Sequence, residues 1–81
     1  MSELKLAEFA IVVSHREKAA GSVNDLLTQY GDYIIARMGV PHRQKQLNLI
    51  SIVLEAPIEK IEELHAKLTN LKNIQVKLLT I

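Results

Sequence analysis

Two hydrophobic periods succeed one another along this chain. Residues 6–13, LAEFAIVV, are rich in β-branched and aromatic types and read as a buried strand. Ser14 then precedes Glu17 by three positions, which is capping-box spacing. In that arrangement the Ser side chain and the Glu carboxylate each satisfy a free backbone N–H at a helix start. Ala19, Ala20, Val23, Leu26, Leu27 and Tyr30 follow at helical spacing, with Glu17, Lys18, Asn24, Asp25 and Thr28 on the other side. The spacing predicts an amphipathic helix that ends near Gly31. Residues 33–38, YIIARM, form a second predicted strand, 39–45 a turn, and 47–54, LNLISIVL, a third strand. Pro57 suits the first turn of the next helix, where its missing N–H would be unpaired anyway. Ile61, Leu64, Leu68 and Leu71 make the apolar stripe of that helix, with Glu59, Glu62, Glu63 and Lys67 outside. Glu63 and Lys67 stand four apart in the favourable orientation for an ion pair. Residues 70–73 supply a stop, and 74–81, IQVKLLTI, alternate as a fourth strand.

The predicted order is β-α-β-β-α-β, a strand–helix–strand unit used twice. Right-handed crossovers then give an α+β, ferredoxin-like sandwich. It has a four-stranded antiparallel sheet in the order 4-1-3-2, with two helices on one face. The helices cover only one side, yet the first and third strands are apolar on both parities. Phe9, Ile11, Val13, Ile50, Ile52 and Leu54 can face the helices, while Leu6, Ala10, Val12, Leu47, Leu49 and Val53 face away. An open antiparallel face normally reads polar, so a homo-oligomer, dimer or tetramer, is expected. The same topology sets the SHRE loop, the turn between strands two and three and the end of the second helix at one end of the sheet. His15, Arg16, His42, Arg43, Lys45 and Lys72 can gather there beside a helix N-terminus, the makings of an anion site. The competing reading is a set of solvated loop cations, because no phosphate-loop glycine pattern accompanies them.

Composition narrows the function classes. The chain has 81 residues, few enough that a lone protomer buries only about 60% of its unfolded surface. Cysteine is absent, which removes disulfides, thiolate metal sites and iron–sulfur ligation and suits a cytoplasmic protein. A net charge of +1 lacks the basic stripe of a nucleic-acid surface. With aromatics limited to Phe9, Tyr30 and Tyr33, the sheet offers no base-stacking platform, so direct nucleic-acid binding is not expected. No apolar run reaches the roughly 18 residues that span a bilayer, and the N-terminus does not read as a signal peptide. His15, His42 and His65 fall on different elements, and only His65 with Glu62 shares a helix face, so no metal or cofactor is expected. No nucleophile, base and orienting group converge, and an enzyme is expected only if a site forms between subunits.

The segments SHREKAAGSVNDLL and IIARMGVPHR carry a resemblance. Through REKA, the VN-x-LL of helix one, and the R-x-G-x-P-x-R of Arg37, Gly39, Pro41 and Arg43, the chain resembles the small regulators associated with the iron-only hydrogenase system. The resemblance covers nearly the whole chain and implies one ACT-like regulatory domain over residues 1–81. Its fold is similar to the C-terminal domain of nickel-responsive regulators, whose His and Cys ligand pattern this sequence lacks. What the resemblance implies is an oligomeric, ligand-sensing, non-enzymatic domain. ACT-like domains bind small effectors, often amino acids, near the loop that residues 13–17 match here, across a subunit interface. The candidate ligand-binding residues are Ser14, His15, Arg16, Arg37, Gly39 and Arg43, for an anionic or amino-acid effector. The alternative is a structural protein–protein interaction module without a small-molecule ligand.

Overall fold

The computed structural model describes residues 3–14 and 16–81, with the side chains of residues 16–20 outside the described set. The elements are β1 (Leu4–Ser14), α1 (Arg16–Gln29), a 3-10 turn (Gly31–Tyr33), β2 (Ile34–His42), β3 (Leu47–Pro57), α2 (Ile58–Thr69) and β4 (Ile74–Thr80). The strands form one antiparallel sheet in the order β2-β3-β1-β4, which is 4-1-3-2 read from the other edge. The fold is the predicted α+β sandwich.

The core follows from the register. Phe9 lies opposite Ile52 and Leu78, and Ile11 opposite Ile50 and Val76. Strand residues on that side therefore line up beneath the helices. Ala7, Phe9, Ile11, Val13, Ile50, Ile52, Leu54 and Ala56 are buried against Val23, Leu26, Leu27 and Tyr30 of the α1 side and Ile61, Leu64 and Leu68 of α2. Helix α2 ends at Asn70, and Asn73, at φ 64°, takes the left-handed conformation that Asn tolerates.

Three details differ from the sequence reading. Gly39 and Pro41, expected in a turn over residues 39–45, lie inside β2, opposite Ile50 and Asn48. The strand is an edge, where proline is tolerated because half the backbone groups have no ladder partner. The turn contracts to residues 43–46, closed by Gln46 N–H donating to Arg43 C=O at 3.2 Å, with Gln46 at φ 54°. Pro57 ends β3 and caps α2 in an extended conformation instead of entering its first turn. Tyr33, assigned to the second strand, belongs to the 3-10 turn.

A further feature decides which side chains β2 shows to each face. Its register shifts between Ile34 and Ala36, a bulge at Ile35. Ile34 pairs with buried Leu54 and points toward the helices, but beyond the bulge Arg37 and Gly39 take that side. Ala36, Met38 and Val40 turn to the bare face. One extra residue has exchanged the two sets of side chains.

Candidate functional site

Ser14, the first candidate, is the last residue of β1, opposite Leu47, and its N–H donates to Asn73 C=O at 2.9 Å. Its capping-box partner Glu17 has its side chain outside the described residues, so that box is not described here. His15 also lies outside the described residues, and Arg16 is described only as the first residue of α1. Arg43 stands exposed at the tip of the β2–β3 hairpin, where the Lys45 N–H donates to His42 Nδ1 at 3.3 Å. The hairpin tip, the end of β1 and the start of β4 share one end of the sheet.

Arg37 and Gly39 belong to a different place. Arg37 sits six positions before Arg43, roughly 20 Å away at ~3.3 Å per strand residue. Turned to the helix side by the bulge, it donates from its guanidinium to Asn24 Oδ1 on α1. Helix α1 packs against β1 and α2, and β2 beyond residue 34 is exposed. Between α1 and β2 the surface falls into a cleft of about 350 Å³ lined by Asn24, Arg37, Gly39, Val40, Pro41, Asn48 and Ile50. Asn24 and Asn48 escaped the sequence reading. Asn24 looked like one more polar residue on the outer face of α1, and only the bulge brings Arg37 to it.

The bare face of the sheet is the second feature. Across it run the rows Val40–Leu49–Val12 and Met38–Ser51–Ala10. The small Ala10 and Ser51 leave a hollow of about 280 Å³, also lined by Val12, Met38, Val40 and Leu49. Leu6, Ile35, Met38, Val40, Leu49 and Leu79 are exposed in the described chain.

A third cluster lies where α1 meets α2. The Tyr30 hydroxyl donates to Glu63 Oε1 at 2.5 Å, and Lys60 and Lys67 approach the same carboxylate oxygen at 3.7 and 3.8 Å. The Lys67 ammonium also stands 5.4 Å from the centre of the Tyr30 ring. The Tyr30 hydrogen bond, with the two ammonium groups behind it, lowers the Glu63 pKa. Interaction with Tyr30, then Glu63, raises that of Lys67. Each charge already has its partner here, and the predicted Glu63–Lys67 pair is part of it. His65 is half-buried, its ring 6.1 Å from that of Phe9. Among the described residues no three His, Asp or Glu side chains are grouped to hold a metal. No helix among them is long and apolar enough to cross a membrane.

The search of curated proteins finds no match. Among solved structures, the uncharacterized protein TM1266 from Thermotoga maritima superposes with a TM-score of 0.94 at 33% identity, over 98% of this chain and 99% of that one. Residues 5–78 match the TM1266-like family. The chain thus belongs to the TM1266-like family, whose description is that of a candidate regulator of the iron-only hydrogenase system.

Proposed function

We propose that this protein is a non-enzymatic, ligand-responsive regulatory module of the iron-only hydrogenase system that acts in the cytoplasm as a homo-oligomer, dimer or tetramer. The observation that carries the reading is the bare sheet face. Its eleven-residue β1–β3 ladder spans about 37 Å, and four strands are about 19 Å wide. With nine residues in β2 and seven in β4, the footprint is roughly 600 Å², somewhat below the ~800 Å² that each partner gives a stable interface. The apolar rows and the hollow at Ala10 and Ser51 give the β2–β3–β1 part of this surface the character of an interface core, while Glu8 and Lys77 stand on the same face toward β4. A second copy of the chain is its occupant. The effector is a small anion or amino acid; the candidate contacts are Ser14 and Arg43 at one end of the sheet, Arg37 and Gly39 in the α1/β2 cleft, and His15 and Arg16, which follow Ser14 in the sequence.

Light scattering on a size-exclusion column tests the assembly. The expected mass is two or four times 9.1 kDa, held at micromolar concentration; a stable single-chain mass removes the interface argument. A thermal-shift screen of amino acids, nucleotides and inorganic anions tests the response. Stabilisation lost in Arg43→Ala assigns the effector to the hairpin end. A screen without any shift leaves the purely structural interaction module as the reading.

A further inference from the structure

We propose that the α1/β2 cleft is a binding site for a small organic carboxylate with an apolar body, with Arg37 as the anion contact. This rests on the ligand-responsive reading above and names the class of ligand.

Three observations converge. The first is the donor set. A guanidinium has donors only, so the Asn24 atom that receives it is the amide oxygen. The Asn24 amide nitrogen therefore keeps its two N–H donors, and Arg37 keeps those not spent on Asn24. Asn48 lines the same cleft. A planar guanidinium fork flanked by amide donors matches a carboxylate.

The second is Gly39. Glycine in a strand interior weakens it, and it marks places where a ligand or another backbone comes close. A Cβ built on Gly39 meets nothing within 4 Å, and its φ is not positive. Neither packing within the protomer nor backbone conformation requires glycine here. What its missing side chain preserves is the open floor of the cleft.

The third is the apolar part of the lining. Pro41 and Ile50 supply apolar wall, which favours an organic acid over inorganic phosphate. The cleft volume, about 350 Å³, falls at the small end of ligand sites.

The test is a titration of the isotopically labelled 81-residue chain with sodium isovalerate at constant ionic strength, read by amide and side-chain NMR shifts. Isovaleramide removes the charge, and phosphate removes the apolar body. Saturable shifts are expected at Asn24, Arg37, Gly39 and Asn48, with both analogues at least tenfold weaker. Gly39→Val, which fills the cleft with a good strand former, is expected to keep the dispersed spectrum and abolish the shifts. Arg37→Gln is expected to do the same and stands in if the valine variant does not fold. Shifts that do not saturate, that centre on Arg43, or that survive in these variants overturn the site. Isovaleramide or phosphate binding as tightly as isovalerate overturns the ligand class. Isovalerate binding in a protein that stays a single chain upholds the cleft while the assembly reading fails; a stable oligomer that ignores isovalerate does the reverse.

Discussion

Replacing Leu49 by lysine separates assembly from folding. Leu49 lies in β3 between Val12 and Val40 on the bare face, and it is 41% exposed in the protomer. Full burial of a leucine side chain is worth about 1.5–3 kcal/mol, so the exposed part leaves roughly 1 kcal/mol to be gained by each copy on assembly. A two-fold interface loses that twice, about 2 kcal/mol. Each lysine then brings an ammonium group against the hollow at Ala10 and Ser51. Desolvating a charge costs several kcal/mol, although the long stem lets some of it escape toward water. A total of at least ~4 kcal/mol weakens a dimer roughly a thousandfold. The protomer itself scarcely changes, because an exposed substitution away from caps and buried partners stays within about 0.5 kcal/mol. Light scattering over a dilution series should show Leu49→Lys as single chains at concentrations where the parent is assembled. Its circular dichroism should be unchanged, and Glu62→Lys on the exposed side of α2 serves as the charge control. An unchanged mass for Leu49→Lys would refute the reasoning, as would dissociation caused equally by Glu62→Lys.

Three further outcomes are expected. Glu63 has its pKa held below the ordinary 4.5 chiefly by the Tyr30 hydroxyl, so its contribution to stability is full above pH ~4.5 and is lost as the pH falls through the lowered value. Tyr30→Phe should therefore flatten the loss of melting temperature in acid, and identical acid limbs would count against the hydrogen bond; Lys67, raised above 10.5, loses its contribution only above that pH. Gln46 holds φ 54° in the hairpin turn, a conformation that strains a side chain but not glycine; Gln46→Gly should raise stability by about 0.5–1 kcal/mol, or roughly 4 °C in a melt, and a lower melting temperature would contradict the strain argument. If cleft and face are coupled through β2, isovalerate changes the assembly constant by the same factor by which assembly changes isovalerate affinity, and paired calorimetry and light scattering that disagree would place the two measurements on different sites.

The parts of the fold legible in the sequence are those fixed by periodicity over several residues. Phe9, Ile11 and Val13 alternate with Ala10 and Val12, and Ile61, Leu64 and Leu68 repeat at helical spacing; both patterns name their buried side without further information. Strand β2 was harder because it has almost no buried side. With every residue from 35 to 42 exposed, its apolar and polar positions carry no signal about faces, and Gly39 and Pro41 imitate a turn. The bulge at Ile35 leaves no mark in composition either, since YIIARM alternates equally well in both registers. The Arg37–Asn24 contact depends on that bulge, so the cleft could not be read from the chain. The motif with Arg37, Gly39, Pro41 and Arg43 reads as one unit in the sequence, but the structure sets its two arginines roughly 20 Å apart at ~3.3 Å per residue.

An 81-residue chain with two helices has a limited area of cover, and the topology determines where it is spent. Helix α1 joins β1 to β2 across β3, and α2 joins β3 to β4 across β1, so both crossovers lie over the inner strands. The outer edge at β2 is left open on both faces. A strand exposed on two sides and along one edge contributes little apolar burial to its own protomer, and its nine residues are held by the ladder to β3. Its alternation serves both surfaces: Arg37 and Gly39 meet the cleft, while Met38 and Val40 meet the sheet face. Any ligand held by Arg37 and any partner seated on Val40 thus order the same backbone. Ordering it once lowers the entropic cost for the second binder, which yields positive coupling without a large change of shape. Edge strand β2, the least covered element of the fold, is for that reason the element best placed to make assembly respond to a small molecule.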